Sequence, residues 1–264
     1  MNPVLHPVRE AIIQRVQLRT PNAERLAVFY EQMLGLKARS QGARVSLQTS
    51  AGQGLLLLEE DAQAQPAARG APGLFHIAFR LPTESAYRAL VARILQGPAL
   101  YHGSSDHGVS WASYFSDPDG NGIEITWDRD PELWSWKGDQ VQMSSRPLDL
   151  GADSPPDEAW PPSLEIGHVH LAVASLEEAA LYTEALGLRV TQQDYPGAVF
   201  MARGDYHHHL ALNVWGTRRG LSREHASIGL QEIELRAVGD QAETWVDPMG
   251  IRFQLQPVEQ KEAQ

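Results

Sequence analysis

The residues able to do chemistry are mostly histidines. GDYHHHLALNVW (204–215) carries His207, His208 and His209 in a row inside the chain. EIGHVHLAV (165–173) carries His168 and His170, GLFHIAFRL (73–81) carries His76, and SSDHGVS (104–110) carries His107. Glu124 follows the DGNG turn. The chain has no cysteine, so thiolate nucleophiles, disulfides, iron–sulfur clusters and Cys-ligated zinc are excluded. A metal would have to be held by imidazole and carboxylate. Two imidazoles and one carboxylate suit Fe(II) or Mn(II) and leave about three positions free for other ligands. The same donors also fit Zn or Ni. Against this stands the ordinary role of a strand histidine, which is more often a hydrogen-bonded structural residue than a ligand.

Alternation sorts these residues by face, because a strand sends successive side chains to opposite sides. In 73–81, Phe75, Ile77, Phe79 and Leu81 should pack under helices, leaving His76, Ala78 and Arg80 on the open face. In 165–173, Val169, Leu171 and Val173 pack, leaving His168 and His170. After the turn, Ile123, Ile125 and Trp127 pack, leaving Glu124 and Thr126. In the triple histidine, strict alternation puts Tyr206, His208, Leu210, Leu212 and Val214 on the apolar face. His207, His209, Ala211, Asn213 and Trp215 then share the polar face, and His208 reads as structural. A concave sheet face this rich in histidine is a candidate ligand cup.

The elements that must position these residues repeat. FYEQMLGL (29–36) matches LYTEALGL (181–188), each the end of an amphipathic helix stopped by glycine. DPDGNGIEI (117–125) matches DPMGIRFQL (247–255), each a turn feeding a strand. Helical patterns at 22–34, 83–95 and 175–186 each follow an alternating strand. The organisation is four βαβββ-like modules near 11–60, 72–128, 164–216 and 226–257, the last too short for a helix. The Pro-, Ser- and Gly-rich stretch 137–163 reads as a linker, WDRDPELWSW (127–136) as packing against it, and 258–264 as a polar tail.

A length of 264 residues suits two domains, and 42% hydrophobic with 21% charged residues suits a globular chain. A net charge of −11 argues against a nucleic-acid surface. No apolar run approaches the ~18 residues of a membrane span, and the N-terminal MNPVLHPVREA lacks a signal-type apolar core. A cytoplasmic protein is the default expectation. Self-association stays open.

Module pairing decides which ligands meet. His76 and His168 sit at the same place in their first strands, where modules one and four carry Arg15 and Glu232. Glu124 corresponds to Gln254 in the last module. Modules one and two together offer Arg15, His76 and Glu124. Modules two and three offer His76, Glu124 and His168, the preferred set. Modules three and four offer His168, His209 and Glu232 as the alternative.

The modules, with HVHLAV, FYEQMLGL and DPDGNGIEI, resemble the vicinal oxygen chelate superfamily of glyoxalases, bleomycin-resistance proteins and extradiol dioxygenases. The fuller set GLFHIAF, SDHGVSWASYFSDPDGNGIEITWDRDPELW, IGHVHLAV and DYHHHLALNVW is similar to its catechol 2,3-dioxygenase-like two-domain branch. The resemblance implies an α+β fold, with four modules forming two glyoxalase-like open-barrel domains at 1–136 and 164–257. It implies Fe(II), a small aromatic diol bound through both oxygens, and O₂. Tyr114 and Glu124 match the family's substrate-binding tyrosine and metal carboxylate, and His76 and His168 match its strand-start ligands. The last module departs from the pattern by lacking both its histidine and its glutamate, so the site is expected between modules two and three.

Among the remaining residues, His107, in a Gly-containing loop before the Tyr114 strand, is a candidate acid/base. His170, His207, His209 and Asn213 are candidates for orienting ligands or substrate. Two other readings compete with ring cleavage. A metal-dependent isomerase or epimerase would want a fourth protein ligand, which His209 could supply. A drug-sequestering binding protein would need no metal.

Overall fold

The computed structural model describes residues 12–150, 163–218, 220–224, 226–237 and 242–257. The tail 258–264 and the linker segment 151–162 lie outside the described residues.

Module one contributes β1 (Ile13–Thr20), α1 (Ala23–Leu34), β2 (Lys37–Gln41), β3 (Arg44–Gln48) and β4 (Gly54–Glu60). Module two contributes β5 (Gly73–Leu81), α2 (Glu84–Ile94), β6 (Leu100–Asp106), β7 (Ser110–Ser116) and β8 (Gly122–Asp128). Three two-residue strands follow: β9 (Trp136–Lys137), β10 (Gln140–Val141) and β11 (Arg146–Pro147). Module three contributes β12 (Glu165–Ala172), α3 (Ala179–Leu186), β13 (Arg189–Gln192), β14 (Ala198–Ala202) and β15 (Leu210–Asn213). Module four is β16 (Gly229–Ala237), β17 (Glu243–Val246) and β18 (Arg252–Pro257), with no helix among its described residues.

Local sequence explains the helices. Asn22 caps α1 by accepting from the Arg25 N–H at 2.8 Å, and Thr83 caps α2 by accepting from Ala86 at 3.2 Å. α1 and α3 stop at Gly35 and Gly187, both left-handed. No described helix is long and apolar enough to cross a membrane.

The sheets exchange modules between the halves of the sequence. The nine-stranded sheet runs β11-β6-β7-β8-β5-β12-β15-β14-β13, joining module two to module three. The seven-stranded sheet runs β17-β18-β16-β1-β4-β3-β2, joining module one to module four. Each junction is an antiparallel pair of first strands, β5 with β12 and β1 with β16. Sequence segments 1–136 and 164–257 thus each give one module to each sheet. The sheets' packed faces and the helices share one apolar core, including Val16, Leu26, Phe79, Leu90, Val169 and Ile233. A smaller cluster with Trp134, Met143, Phe200 and Tyr206 packs separately from it.

The repeated motifs meet each other. Tyr30, from FYEQMLGL, donates to Asp117 of DPDG at 3.0 Å, and Tyr182, from LYTEALGL, donates to Asp247 of DPMG at 2.7 Å. Both hydroxyls are buried, and burial beside the carboxylate pushes each phenol's pKa up. Each helix is thereby tied to the turn that launches the last strand of the next module, and at Asp117 that strand carries Glu124. Tyr30→Phe removes one charge-assisted buried hydrogen bond and is expected to cost about 2 kcal/mol. Urea unfolding should register this as a lower midpoint with an unchanged slope; an unchanged midpoint would deny the tie any energetic weight.

Candidate metal centre

Register builds the site. Tyr114 on β7 is paired with Glu124 on β8, Glu124 with Ala78 on β5, and Ala78 with His168 on β12. Two residues along, His76 is paired with His170. These side chains share a face, as strand alternation requires. Ala78 is fully buried and small, which leaves room above it for the carboxylate and the imidazole on either side.

His76 Nε2 lies 2.8 Å from Glu124 Oε2, His168 Nε2 lies 3.1 Å from the same oxygen, and the two ring nitrogens are 3.3 Å apart. All three residues are buried. Ligands about 2.1 Å from one ion stand about 3 Å apart when adjacent, so the triangle has the size of one coordination face. Protons alone satisfy it poorly, since two N–H groups aimed at one oxygen would crowd each other. The donor set therefore fits a divalent ion held by His76, Glu124 and His168, the group of described residues that clusters in this way. Burial raises the Glu124 pKa, but His168 and His76 outweigh it and hold the carboxyl well below its usual range. Burial also lowers His168, favouring the neutral imidazole that a metal needs.

The triangle lies on the floor of a cavity of about 470 Å³. His107 and Tyr114 line one side, with His107 Nε2 2.6 Å from the Tyr114 hydroxyl. His107 Nδ1 is 2.8 Å from the Ser144 carbonyl, which can only accept, so Nδ1 carries the proton. In the neutral ring, Nε2 then accepts from Tyr114 O–H. Burial, reinforced by the Glu124 charge, pushes the Tyr114 pKa well up. Ser144 belongs to the 137–163 stretch, whose first part folds over the site: β9 pairs with β10, β11 with β6, and Met143 lines the cavity.

The triple histidine departs from strict alternation. β15 begins only at Leu210, and residues 203–209 form turns and bends, so period two does not extend back through them. His208, expected to be structural, lines the cavity with its ring centroid 4.0 Å from that of His168. His207 turns to Asp128, 3.1 Å from its Nε2. His209 leaves the cavity altogether: its Nδ1 accepts from the Arg203 backbone at 3.2 Å and it sits beside Leu186 and Ile233. The alternative trio is not brought together, because Glu232 lies in the other sheet and pairs with Arg252 at 3.0 Å.

A second relay emerges from this rearrangement. The Asp128 carboxylate accepts from Arg80 at 3.0 Å, Tyr206 at 2.9 Å and His207 Nε2 at 3.1 Å. His207 Nδ1, its lone pair free, accepts from His208 Nδ1–H at 2.7 Å. Nε2 is the His208 nitrogen left for a ligand. Burial raises Asp128, but His207 and Arg80 outweigh it and keep the carboxyl ionised. Burial lowers His208, and neighbouring imidazoles lower it further. His170 is likewise lowered and accepts from the Asn213 amide at 3.0 Å; that amide's oxygen takes the Trp215 N–H at 3.3 Å, which fixes its orientation.

Phe75 also differs from the alternation reading, being 40% exposed rather than packed. The β5–β12 register skips at this point: His76 is opposite His170, but Leu74 is opposite Leu171, so Phe75 is an extra bulged residue. It therefore shares the cavity with His76. Gly122 permits the bulge, since a Cβ there would fall 2.0 Å from the Phe75 carbonyl oxygen. Phe75, His208, Ser144, Asp128 and Tyr195 were not among the residues the sequence singled out for the site, whereas alternation puts Trp215 on the polar face with Asn213, and it does line the cavity. An aspartate ending the Glu124 strand was the available signal for Asp128; the others follow from a bulge, a turn and an irregular segment.

Comparisons with known proteins bear on this geometry. The family model described as Glyoxalase/Bleomycin resistance protein/Dioxygenase superfamily matches residues 12–125. A curated Bacillus subtilis (strain 168) protein named catechol-2,3-dioxygenase is 36% identical over 227 residues, spanning 81% of this chain and 78% of its own. Among solved structures, a Bacillus subtilis protein described as a dioxygenase superposes with a TM-score of 0.64 at 14% identity, covering 94% of this chain and 86% of that one. Glyoxalase I from Zea mays gives 0.56 at 17% identity, covering 92% and 91%. These two structural likenesses speak for the fold.

Glu124→Ala removes the one anionic donor of the triangle. Mn(II) affinity, measured by equilibrium dialysis or by the free-ion resonance signal, is expected to fall roughly 100-fold or more. Unchanged affinity would mean the ion binds elsewhere.

Proposed function

The chain belongs to the glyoxalase/bleomycin resistance protein/dioxygenase superfamily, and from that premise we propose that it is an extradiol dioxygenase that uses O₂ to open a catechol-type ring. The carrying observation is the buried triangle of two imidazole nitrogens and one carboxylate oxygen, with edges of 2.8, 3.1 and 3.3 Å, at the floor of a cavity. Fe(II) is the favoured ion, with Mn(II), Zn or Ni as other candidates. Bound by three protein donors, it would leave room for both oxygens of a vicinal diol and for O₂, and would let electron density pass from ring to dioxygen.

The chain's own residues then manage position and protons. Tyr114 stands beside Glu124 with its hydroxyl on the cavity wall, so it can hydrogen-bond a diol oxygen. Its partner His107 can take a proton at Nε2, because the Ser144 carbonyl stabilises the Nδ1–H of the resulting imidazolium. Across the cavity, His208 offers Nε2 as a second acceptor, and His207 with Asp128 fixes its tautomer. The buried floor keeps water from competing for these hydrogen bonds.

An isomerase of the same superfamily is the second reading. It would want a further donor; His209 is held on the far side of its strand by the Arg203 N–H, and His208 lines the cavity but falls outside the close group of His76, Glu124 and His168. Among the described residues the donor set stops at three, which favours a site with open positions for O₂.

Iron-loaded protein prepared without air is expected to consume one O₂ per catechol, giving a yellow ring-fission product. No uptake across a catechol panel would overturn the proposal, and an O₂-independent isomerisation would replace it with the second reading. Tyr114→Phe is expected to lower kcat about 100-fold at unchanged iron content; an unaltered kcat would remove Tyr114 from the proton path.

A further inference from the structure

The cavity is larger than one diol ring requires, and its surplus has a distinct chemistry. A space of about 150 Å³ holds a benzene ring, whereas this cavity measures about 470 Å³. Next to the metal ligands its wall turns aromatic. The Phe75 ring lies 5.3 Å from His76 and 5.1 Å from His170, and Trp215 lies 5.3 Å from His170. Phe75 meets Trp215 edge-on at 5.5 Å, and Tyr195 stands 6.2 Å from Trp215.

This wall is built rather than incidental. The bulge in β5 turns Phe75 into the cavity. The Trp215 indole donates to the Pro196 carbonyl at 2.8 Å, and its backbone N–H donates to Asn213. Gly197 makes room for the indole, since a Cβ there would fall 2.8 Å from it. Phe75 and Trp215 nevertheless remain 40% and 48% exposed. Fixed, exposed aromatic rings bordering a pocket gain apolar contact when a ligand covers them.

Charge narrows the ligand. Among the described residues lining the cavity there is no lysine or arginine, so a carboxylated substituent would find no permanently charged counter-ion. Aromatic faces also attract cations. However, Glu124 is the one carboxylate among those lining residues, and His76 and His168 engage it. A buried ammonium would therefore also go unpaired.

We propose that Phe75, Trp215 and Tyr195 form a substituent subsite, and that the preferred substrate is a catechol bearing an uncharged aryl group. This rests on the ring-cleavage reading for turnover but not for binding. The test takes the full chain loaded anaerobically with Fe(II). Binding of 3- and 4-phenylcatechol, catechol, 3,4-dihydroxyphenylacetate and dopamine is followed without O₂ by tryptophan fluorescence, then kcat/KM by O₂ uptake. The better phenylcatechol is expected to bind at least 10-fold more tightly than catechol, with the acid and the amine weaker than catechol. If turnover occurs, kcat/KM should follow the same order. Trp215→Ala should cut the phenylcatechol-to-catechol binding ratio at least 5-fold, and Trp215→Phe should recover part of it.

Equal binding of phenylcatechol and catechol, or preference for the acid or the amine, would overturn the subsite. Catechol cleavage without an aryl preference overturns the subsite and keeps the ring-cleavage reading. An aryl preference in binding with no O₂ uptake keeps the subsite and overturns that reading.

Discussion

Antiparallel pairing of β5 with β12 is the constraint on which the site depends. These strands come from opposite halves of the chain, yet they bring His76 against His170 and Ala78 against His168. Parallel pairing of β5 with β8 then adds Glu124 beside Ala78. The ladder sets the spacing of the three donors, and the apolar core behind these strands holds the ladder. Bringing a carboxylate and two imidazoles together in a buried place is costly unless something compensates the charge and the lone pairs. The shared sheet supplies rigidity for that arrangement, and a divalent ion held by the three donors would supply the missing compensation.

Around this floor, Tyr114 and His208, which face the cavity, are each oriented from behind. A carbonyl of an irregular segment sets the tautomer of His107, and His107 in turn orients Tyr114. Asp128, tied to Arg80 and Tyr206, sets His207 and through it His208. The two arms approach from opposite sides; the first rests on module two and the irregular segment after it, and the second joins Arg80 and Asp128 of module two to His207 and His208 of module three. The Asp128 arm is buried and the His107 arm half-buried, and in such surroundings hydrogen bonds are stronger and an unpaired group is dearer. The seven-stranded sheet carries no counterpart. At the places of His76 and His168 it holds Arg15 and Glu232, each in an ion pair with a neighbouring strand.

Much of this was legible in the sequence because it follows short rules. Alternation assigned His76, Glu124, His168 and His170 to one face, and glycine stops marked the ends of α1 and α3. The matched LGL and DPxG motifs disclosed the repeat, and the absent ligands in module four pointed away from the last two modules. Alternation failed where the backbone leaves the ideal strand. The bulge at Phe75 moved a ring predicted for the core into the cavity. The turns before β15 exchanged the roles of His208 and His209. Ser144 was hidden for another reason: a Pro- and Ser-rich segment reads as a connection, and only tertiary packing lays its carbonyl against His107. The tyrosine–aspartate ties between modules were equally hidden, since each joins residues far apart in sequence.

Anomalous diffraction from crystals of the full chain equilibrated with Mn(II) tests the central geometry most directly. One strong peak is expected about 2.1 Å from His76 Nε2, His168 Nε2 and Glu124 Oε2 together. A peak coordinated by other residues, or none near this triangle at saturating Mn(II), would contradict the account.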